Sequence, residues 1–120
     1  MMKHERRKYP RIDIRGQVSL QIAGVVRTGT MMNLSPSGIQ IECRQQLVEQ
    51  LGKFKSPAGL YPEFDLEFIL PDNSPISCLC TVSFCRRISQ DCYQLGLAFV
   101  SLPEGAEERV DQYIDHAVAA

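Results

Sequence analysis

Six residues near the N-terminus, Arg6–Arg11 with the sequence RRKYPR, place four cationic side chains close together. The whole chain has a formal net charge of -1, so this cluster is a local feature and not part of a general basic surface. Arg7 and Arg11 are separated by three residues, and Pro10 between them disfavours a helix. Two guanidinium groups on such a short segment can bind two points of one compact ligand. Because guanidinium matches phosphate oxygens and the O6/N7 edge of guanine bidentately, we predict a small anionic ligand with purine character.

A second polar segment, Asn33–Gly38 with the sequence NLSPSG, lies between two predicted strands. Asn33 and Ser35 can form side-chain hydrogen bonds to a neighbouring backbone or to a ligand. Pro36 restricts the backbone, and Gly38 permits either unusual backbone angles or a close approach that a Cβ would prevent. Since these residue types are common in turns, the segment by itself indicates only a turn between two strands.

Taken together, the two segments resemble the paired signature of PilZ domains, which are bacterial receptors for cyclic di-GMP. Arg-Xaa-Xaa-Xaa-Arg at Arg7–Arg11 is followed, about twenty residues later, by Asn-Xaa-Ser-Xaa-Xaa-Gly at Asn33–Gly38. The order, the spacing and the intervening strand are all similar to those of the family. The resemblance extends over nearly the whole chain, and it implies a receptor that binds cyclic di-GMP and signals to a separate effector protein.

The resemblance also implies a role for each motif residue. Arg7 and Arg11 would hold guanine edges and phosphates as the N-terminal arm folds over the ligand. Asn33 would form a hydrogen bond with a guanine, Ser35 would lie beside phosphate and base, and Gly38 would let the ligand approach the barrel. Arg6 would add a stacking or phosphate contact. The expected cyclic di-GMP site is therefore Arg6, Arg7, Arg11, Asn33, Ser35 and Gly38, with no catalytic residue, no metal and no cofactor.

The elements that must position these residues follow from the alternation of apolar and polar side chains. Five segments alternate with a period of two, which indicates strands with one buried face. They lie at Val18–Ile22, Ile39–Cys43, Phe64–Leu70, Ile76–Phe84 and Tyr93–Phe99. We expect residues 25–32 to form a sixth strand that pairs with the first through Gly24. An open sheet with this pattern would expose an apolar face and two edges, so we expect closure into a small barrel or a sandwich. The resemblance implies a mainly β fold in which a six-stranded antiparallel barrel is followed by one C-terminal helix.

The C-terminal segment changes from strand to helix periodicity. A capping-box pattern at Ser101–Glu104, followed by apolar residues at helical spacing, predicts a helix over residues 102–118. We expect residues 1–12 to form a flexible basic arm and residues 13–120 to form a single domain that ends the chain. Residues 44–62 form a longer connection than is usual in this family, and Leu47 to Leu51 within it are compatible with a short helix.

The composition predicts a cytoplasmic protein that does not insert into a membrane. No apolar run is long enough to cross a bilayer, and the N-terminus lacks the apolar region of a signal peptide. The five cysteines, an odd number without a secretion signal, are expected to be reduced thiols and not a disulfide framework.

A metal or thiol site is the main alternative from another class of function. Cys78 and Cys80 could be supplemented by further ligands, and the candidates are Cys85, Cys92, His4 and His116. However, Cys78 and Cys80 share an apolar strand face, whereas zinc ligands usually lie in loop knuckles, so buried core thiols are favoured. A nucleophilic enzyme is disfavoured because both histidines are near the termini and no cysteine adjoins a Gly-rich elbow.

Two further alternatives concern the partner. A barrel that binds single-stranded DNA or RNA needs aromatic platforms along a basic groove, but the aromatic residues other than Tyr9 fall on predicted core faces. A PilZ-fold adaptor related to pili or motility, which binds protein and not the nucleotide, would lack the two motifs. We therefore expect a non-enzymatic receptor with an effector protein as partner. The sequence leaves open a homodimer and whether one or two ligand molecules bind.

Overall fold

Residues 11–119, the part of the chain that the computed structural model describes, form six antiparallel strands and two helices. The strands are β1 (Ile12–Ile22), β2 (Val25–Ser35), β3 (Gly38–Cys43), β4 (Phe64–Ile69), β5 (Pro75–Ser89) and β6 (Cys92–Ser101). The helices are α1 (Gln45–Lys53), between β3 and β4, and α2 (Glu104–Ala119), after β6. The strands close into a barrel in the order β1-β2-β3-β6-β5-β4, which confirms the predicted six-stranded barrel with a C-terminal helix.

The β1–β2 hairpin brings the start of β1 beside the end of β2. Ala23 and Gly24 connect the strands with positive φ angles of 52° and 82°, as a two-residue type I′ turn requires. From this turn the register runs back to the pair Ile12 and Leu34, with one irregularity on the way. As a consequence, the beginning of β1 lies next to the segment that contains the second motif.

Alternation along each strand fills the barrel interior with aliphatic side chains. Val18 and Leu20 on β1, Leu66 on β4 and Leu95 on β6 are all completely buried. The short pairing of β1 with β4, from Ser19–Glu67 to Gln21–Asp65, closes the barrel. Because a closed barrel has no free sheet edge, the outer face of the strands is the surface available to a ligand.

Helix α1 covers part of this core. Leu47 and Leu51 are buried, as expected from the apolar spacing in this segment. Gln50, which is also buried, donates from Nε2 to the carbonyl oxygen of Ile22 over 3.3 Å. The long connection between β3 and β4 therefore contributes a helix that packs on the barrel.

Helix α2 begins at Glu104, two residues later than predicted. Ser101 is still paired with Leu79 in the sheet, so it cannot serve as the N-cap of the expected capping box. Instead, the carbonyl oxygen of Pro103 accepts the first helical hydrogen bond, from the backbone N–H of Glu107 at 2.9 Å. The apolar stripe is placed as predicted, with Val110 and Ile114 buried. Neither helix in residues 11–119 is long and apolar enough to cross a lipid bilayer.

One strand residue faces the opposite side from its prediction. Simple alternation put Phe84 on the buried face of β5, but 38% of this residue is exposed. The cause is a register shift: Val82 pairs with Leu97, whereas Phe84 pairs with Gly96, so Ser83 is an extra residue in β5. After this bulge the alternation is reversed, and the ring of Phe84 lies on the outer face of the barrel.

Candidate functional site

The Asn-Xaa-Ser-Xaa-Xaa-Gly motif forms the tight hairpin between β2 and β3. Ser35 and Gly38 are paired across the two strands, and only Pro36 and Ser37 lie between them. The Oγ atom of Ser35, a residue only 2% exposed, accepts from the backbone N–H of Ser37 at 3.3 Å and lies 3.2 Å from the Ser37 Oγ. These contacts make Ser35 a residue that stabilises the turn from inside.

Gly38 is required by the close approach of β6. An added Cβ would lie 2.2 Å from the carbonyl oxygen of Leu97, far inside van der Waals contact. The φ angle of Gly38 is outside the left-handed region, so packing, and not backbone conformation, accounts for the glycine. The hairpin is held down further by a hydrogen bond from the Phe99 N–H to the Ser37 carbonyl oxygen at 2.9 Å.

Asn33 lies on the outer face of β2, between Arg11 and Gln40. Arg11 donates from Nη1 to Asn33 Oδ1 at 3.1 Å. On its other side, Asn33 donates from Nδ2 to Gln40 Oε1 at 2.8 Å. A described residue of the first motif is thus in direct contact with the second motif.

The groove beside these residues has a volume of about 220 Å³. Arg11, Ser37 and Gln40 lie on one side of it, and Phe84 lies on the other. The ring of Phe84 covers Gly96, since a Cβ on this glycine would lie 2.2 Å from a ring carbon. The groove therefore combines a guanidinium, the amide side chain of Gln40 and an exposed aromatic ring, and the amide of Asn33 adjoins it through Arg11 and Gln40.

Three other surface depressions, of about 490, 640 and 340 Å³, are larger than this groove. None of them is lined by a residue of the predicted site, whereas the smaller groove contains Arg11, Ser35 and Gly38 and adjoins Asn33. We therefore assign the candidate site to the smaller groove on its chemistry.

The charges around the groove nearly balance within the described residues. Arg11 supplies one guanidinium, but Asp13 is paired with Asn33 across β1 and β2, so an exposed carboxylate flanks the site. Gln94 on β6 lies in the next row of the sheet and has a charged residue on each side. Arg86 on β5 donates to its side-chain carbonyl, and Glu42 is its partner on β3. A strongly anionic ligand would need additional positive charge, and the sequence carries it in residues 1–10.

Of the residues predicted for the site, the structure brings together Arg11, Asn33, Ser35 and Gly38. Arg6 and Arg7 lie outside the described residues. Sequence reasoning missed Gln40, Gly96 and Phe84 as groove residues. A glycine inside an apolar strand is a usable signal for Gly96, because it indicates a bulge or a close approach. No simple pattern in the sequence identifies Gln40.

The cysteines considered as metal ligands are located in the core. Cys78 and Cys80 are buried inside the barrel with their Sγ atoms 3.6 Å apart, and hydrogen bonding to Cys78 together with burial raises the pKa of Cys80. Burial also raises the pKa of Cys43 to about 12, with smaller contributions from Cys85 and Cys92. Within residues 11–119 no group of three or more His, Cys, Asp or Glu side chains is arranged to hold a metal ion.

Comparison with known proteins identifies the architecture. A comparison with curated protein sequences found no match. Among solved structures, the motility inhibitor MotI/DgrA of Bacillus subtilis aligns with a TM-score of 0.74 at 19% identity, over 94% of this chain and 51% of that chain. The PlzA protein of Borreliella burgdorferi, in complex with cyclic di-GMP, aligns with a TM-score of 0.64 at 14% identity, over 89% of this chain and 46% of that chain. The PilZ domain of YcgR from Escherichia coli, with cyclic di-GMP, aligns with a TM-score of 0.67 at 14% identity, over 95% of this chain and 92% of that chain.

The present chain thus spans about half the length of MotI/DgrA and PlzA and nearly all of the YcgR domain. At these identities the structural likeness shows the fold alone. The sequence profile of the PilZ domain matches residues 5–116, which include both motifs and all six strands. The chain therefore belongs to the PilZ domain family.

Proposed function

We propose that this protein binds cyclic di-GMP in the groove between Arg11 and Phe84 and acts as a receptor for it. The observation that carries the proposal is the contact of Arg11 with Asn33, which joins the two motifs at one side of the groove. Family membership supports it, and so do the two structural neighbours in complex with the same nucleotide.

The groups in the groove suit the chemistry of guanine. The guanidinium of Arg11 presents parallel donors to the O6/N7 edge of a guanine or to phosphate oxygens. Oδ1 of Asn33 is an acceptor for the N1–H or the exocyclic amine of a guanine. The exposed ring of Phe84 offers a flat apolar surface on which a purine can stack. None of these groups is a nucleophile or a general base, so the site is suited to binding without reaction.

The charge balance assigns a role to the N-terminal residues. Cyclic di-GMP carries two negative charges, whereas the described part of the site has Arg11 opposed by Asp13. Residues 1–10 include Arg6, Arg7 and Lys8, and their charges would close over the bound dianion. Because these charges are at the surface, the affinity should fall as the salt concentration rises.

As a receptor, the protein would pass the signal to a separate effector. A nucleotide bound in the groove would change the outer face of the barrel without altering its core. An effector that recognises the occupied groove would then distinguish the loaded protein from the empty one.

Calorimetric titration of cyclic di-GMP into the wild-type protein tests the proposal, with separate titrations of GTP and cyclic di-AMP as controls. We expect micromolar or tighter binding of cyclic di-GMP alone, and a loss of at least about tenfold in Arg11→Ala. Arg15→Ala is the matched control, because Arg15 is an exposed arginine on β1, four residues after Arg11, whose guanidinium donates to the Met32 sulfur atom at 3.3 Å. Equal responses to all three nucleotides would reduce the site to a nonspecific cationic patch, and the absence of any response would leave a nucleotide-independent adaptor.

A further inference from the structure

We infer that Gln40 is a positioning residue that fixes the side-chain amide of Asn33 with Oδ1 toward Arg11 and the groove. This inference rests on the proposed function for its ligand, cyclic di-GMP. It assigns to β3 a determinant of guanine recognition that belongs to neither sequence motif.

The geometry is set by the pairing of β2 with β3. Asn33 and Gln40 are direct partners in the antiparallel register, so their side chains lie on the same face at hydrogen-bonding distance. Nδ2 of Asn33 donates to Oε1 of Gln40 at 2.8 Å, which is the shortest side-chain contact of the groove. Ile39 and Ile41, on either side of Gln40, are buried in the core, so the backbone that carries Gln40 is anchored.

An asparagine at this position has an orientation problem that an aspartate does not have. A carboxylate presents an acceptor oxygen whichever way it is turned, whereas an amide presents an acceptor on one side and donors on the other. The N1–H and exocyclic amine of guanine require an acceptor. An Asn33 amide turned by 180° would place its N–H groups against these donors and would disfavour the base.

Arg11 and Gln40 favour the same orientation, but they differ in what a ligand does to them. Arg11 is exposed, and the ligand would compete with Asn33 for its guanidinium. Gln40 is partly buried on β3, between β2 and β6, and it binds Nδ2 of Asn33, whereas Arg11 binds Oδ1. Only the Gln40 contact is therefore expected to persist when the ligand is bound. Because Gln40 accepts from Asn33 through Oε1, its Nε2 group remains available as a donor to the ligand.

The ligand-free protein provides the first test. In Gln40→Met the side chain keeps its length but loses the acceptor, and Gln21→Met makes the same change at an exposed outer position of β1. The NMR signals of the Asn33 side-chain NH2 group should shift in Gln40→Met, and their exchange with solvent should accelerate by about three- to tenfold, the factor equivalent to one hydrogen bond. Gln21→Met should leave them unchanged. Unchanged Asn33 signals in Gln40→Met, with wild-type thermal unfolding, would overturn the inference.

Ligand binding provides the second test, as a double-mutant cycle with Asn33→Asp. On the wild-type background, Gln40→Met should weaken cyclic di-GMP binding by about tenfold. On the Asn33→Asp background the same change should cost less than about threefold, because a carboxylate needs no orientation. An equal loss on both backgrounds would overturn the positioning role. So would a complete loss of binding in Asn33→Asp, since the ligand would then require the Nδ2 donor.

The two tests separate this inference from the proposed function. If wild-type protein binds no cyclic di-GMP, the proposed function fails, while the NMR comparison of Gln40→Met with Gln21→Met still decides whether Gln40 fixes the Asn33 amide. If cyclic di-GMP binds and the cycle shows no coupling, the receptor function stands and the role of Gln40 is wrong.

Discussion

Nη1 of Arg11 and Oδ1 of Asn33 lie 3.1 Å apart although the residues are 22 positions apart in the sequence. The distance is short because the β1–β2 hairpin pairs Ile12 with Leu34 and Asp13 with Asn33. The last residue of the first motif is therefore held beside the first residue of the second motif by strand pairing, before any ligand is present. This relationship makes the spacing between the motifs a structural requirement.

Arg11→Lys should separate charge from shape at this contact. Lysine keeps the positive charge but cannot present two parallel donors to guanine or phosphate, so the affinity for cyclic di-GMP should fall by at least about tenfold. The free energy of unfolding should change by less than about 0.5 kcal/mol, because Arg11 is exposed. Calorimetric titration and denaturant unfolding measure the two quantities, and Arg15→Lys should change neither. Full affinity in Arg11→Lys would show that Arg11 acts only as a point charge.

Gly38→Ala and Gly52→Ala should have opposite effects on stability. At Gly38 the new Cβ would meet the Leu97 carbonyl oxygen at 2.2 Å, so β3 and β6 must separate and the protein should lose about 1–3 kcal/mol. At Gly52, in helix α1, nothing lies within 4 Å of the new Cβ, and replacing a helical glycine by alanine should add up to about 1 kcal/mol. Denaturant unfolding of both variants measures these changes. A neutral Gly38→Ala would contradict the assigned packing role.

The sequence was sufficient to predict the hairpin that brings the motifs together. Alternation in β1 is regular up to the turn, and the glycine at position 24 marks a point where the chain can adopt positive φ and return as β2. The apolar stripe containing Val110 and Ile114 likewise predicted which face of α2 packs on the barrel. These features depend on local patterns of about ten residues, which a sequence displays directly.

Other parts of the groove depend on pairing between distant strands and were not predictable. Phe84 faces outward only because Ser83 is an unpaired extra residue opposite β6, and an isolated strand sequence contains no sign of this bulge. Gln40 contacts Asn33 because the β2–β3 register places them opposite each other.

The start of helix α2 was also not predictable from local sequence. Ser101 resembles a helix cap but remains in the sheet, because pairing with Leu79 outweighs the local preference.

The five cysteines should differ in reactivity toward Ellman's reagent in the native protein. Cys43, Cys78 and Cys80 are buried, whereas Cys85 and Cys92 are partly exposed. Burial raises the pKa of Cys85 and, to about 12, that of Cys43, so little thiolate is present at either residue at pH 8. We expect Cys92 to react first, Cys85 more slowly, and the other three only after unfolding, as mass spectrometry of the modified peptides can establish. Rapid native-state modification of Cys43 would contradict its burial, and full reaction in guanidinium chloride is the control.

Asp111 and Asp72 should contribute to stability with opposite dependence on pH. Burial, together with the neighbouring Glu107 and Asp115 carboxylates, raises the pKa of Asp111, so the folded state holds this proton more tightly than the unfolded state. Its favourable contribution is then complete below the unfolded pKa and is lost as the pH rises through the folded pKa. Hydrogen bonds from Ser74, including one from its N–H at 2.9 Å, lower the pKa of Asp72, so its contribution is present above the unfolded pKa and is lost as the pH falls.

Two substitutions and two pH values test this difference. Asp111→Asn should be more stable than the wild-type protein at pH 7, by a few tenths of a kcal/mol after solvent screening, and nearly equal to it at about pH 3. Asp72→Ala should be less stable than the wild-type protein at pH 7, with a smaller difference in acid. Thermal unfolding at both pH values measures these effects, and added NaCl should reduce the part of the Asp111 effect that arises from Glu107 and Asp115. If Asp111→Asn were destabilising at pH 7, ionised Asp111 would have a favourable partner on α2, and the repulsion assigned to this acidic face would be wrong.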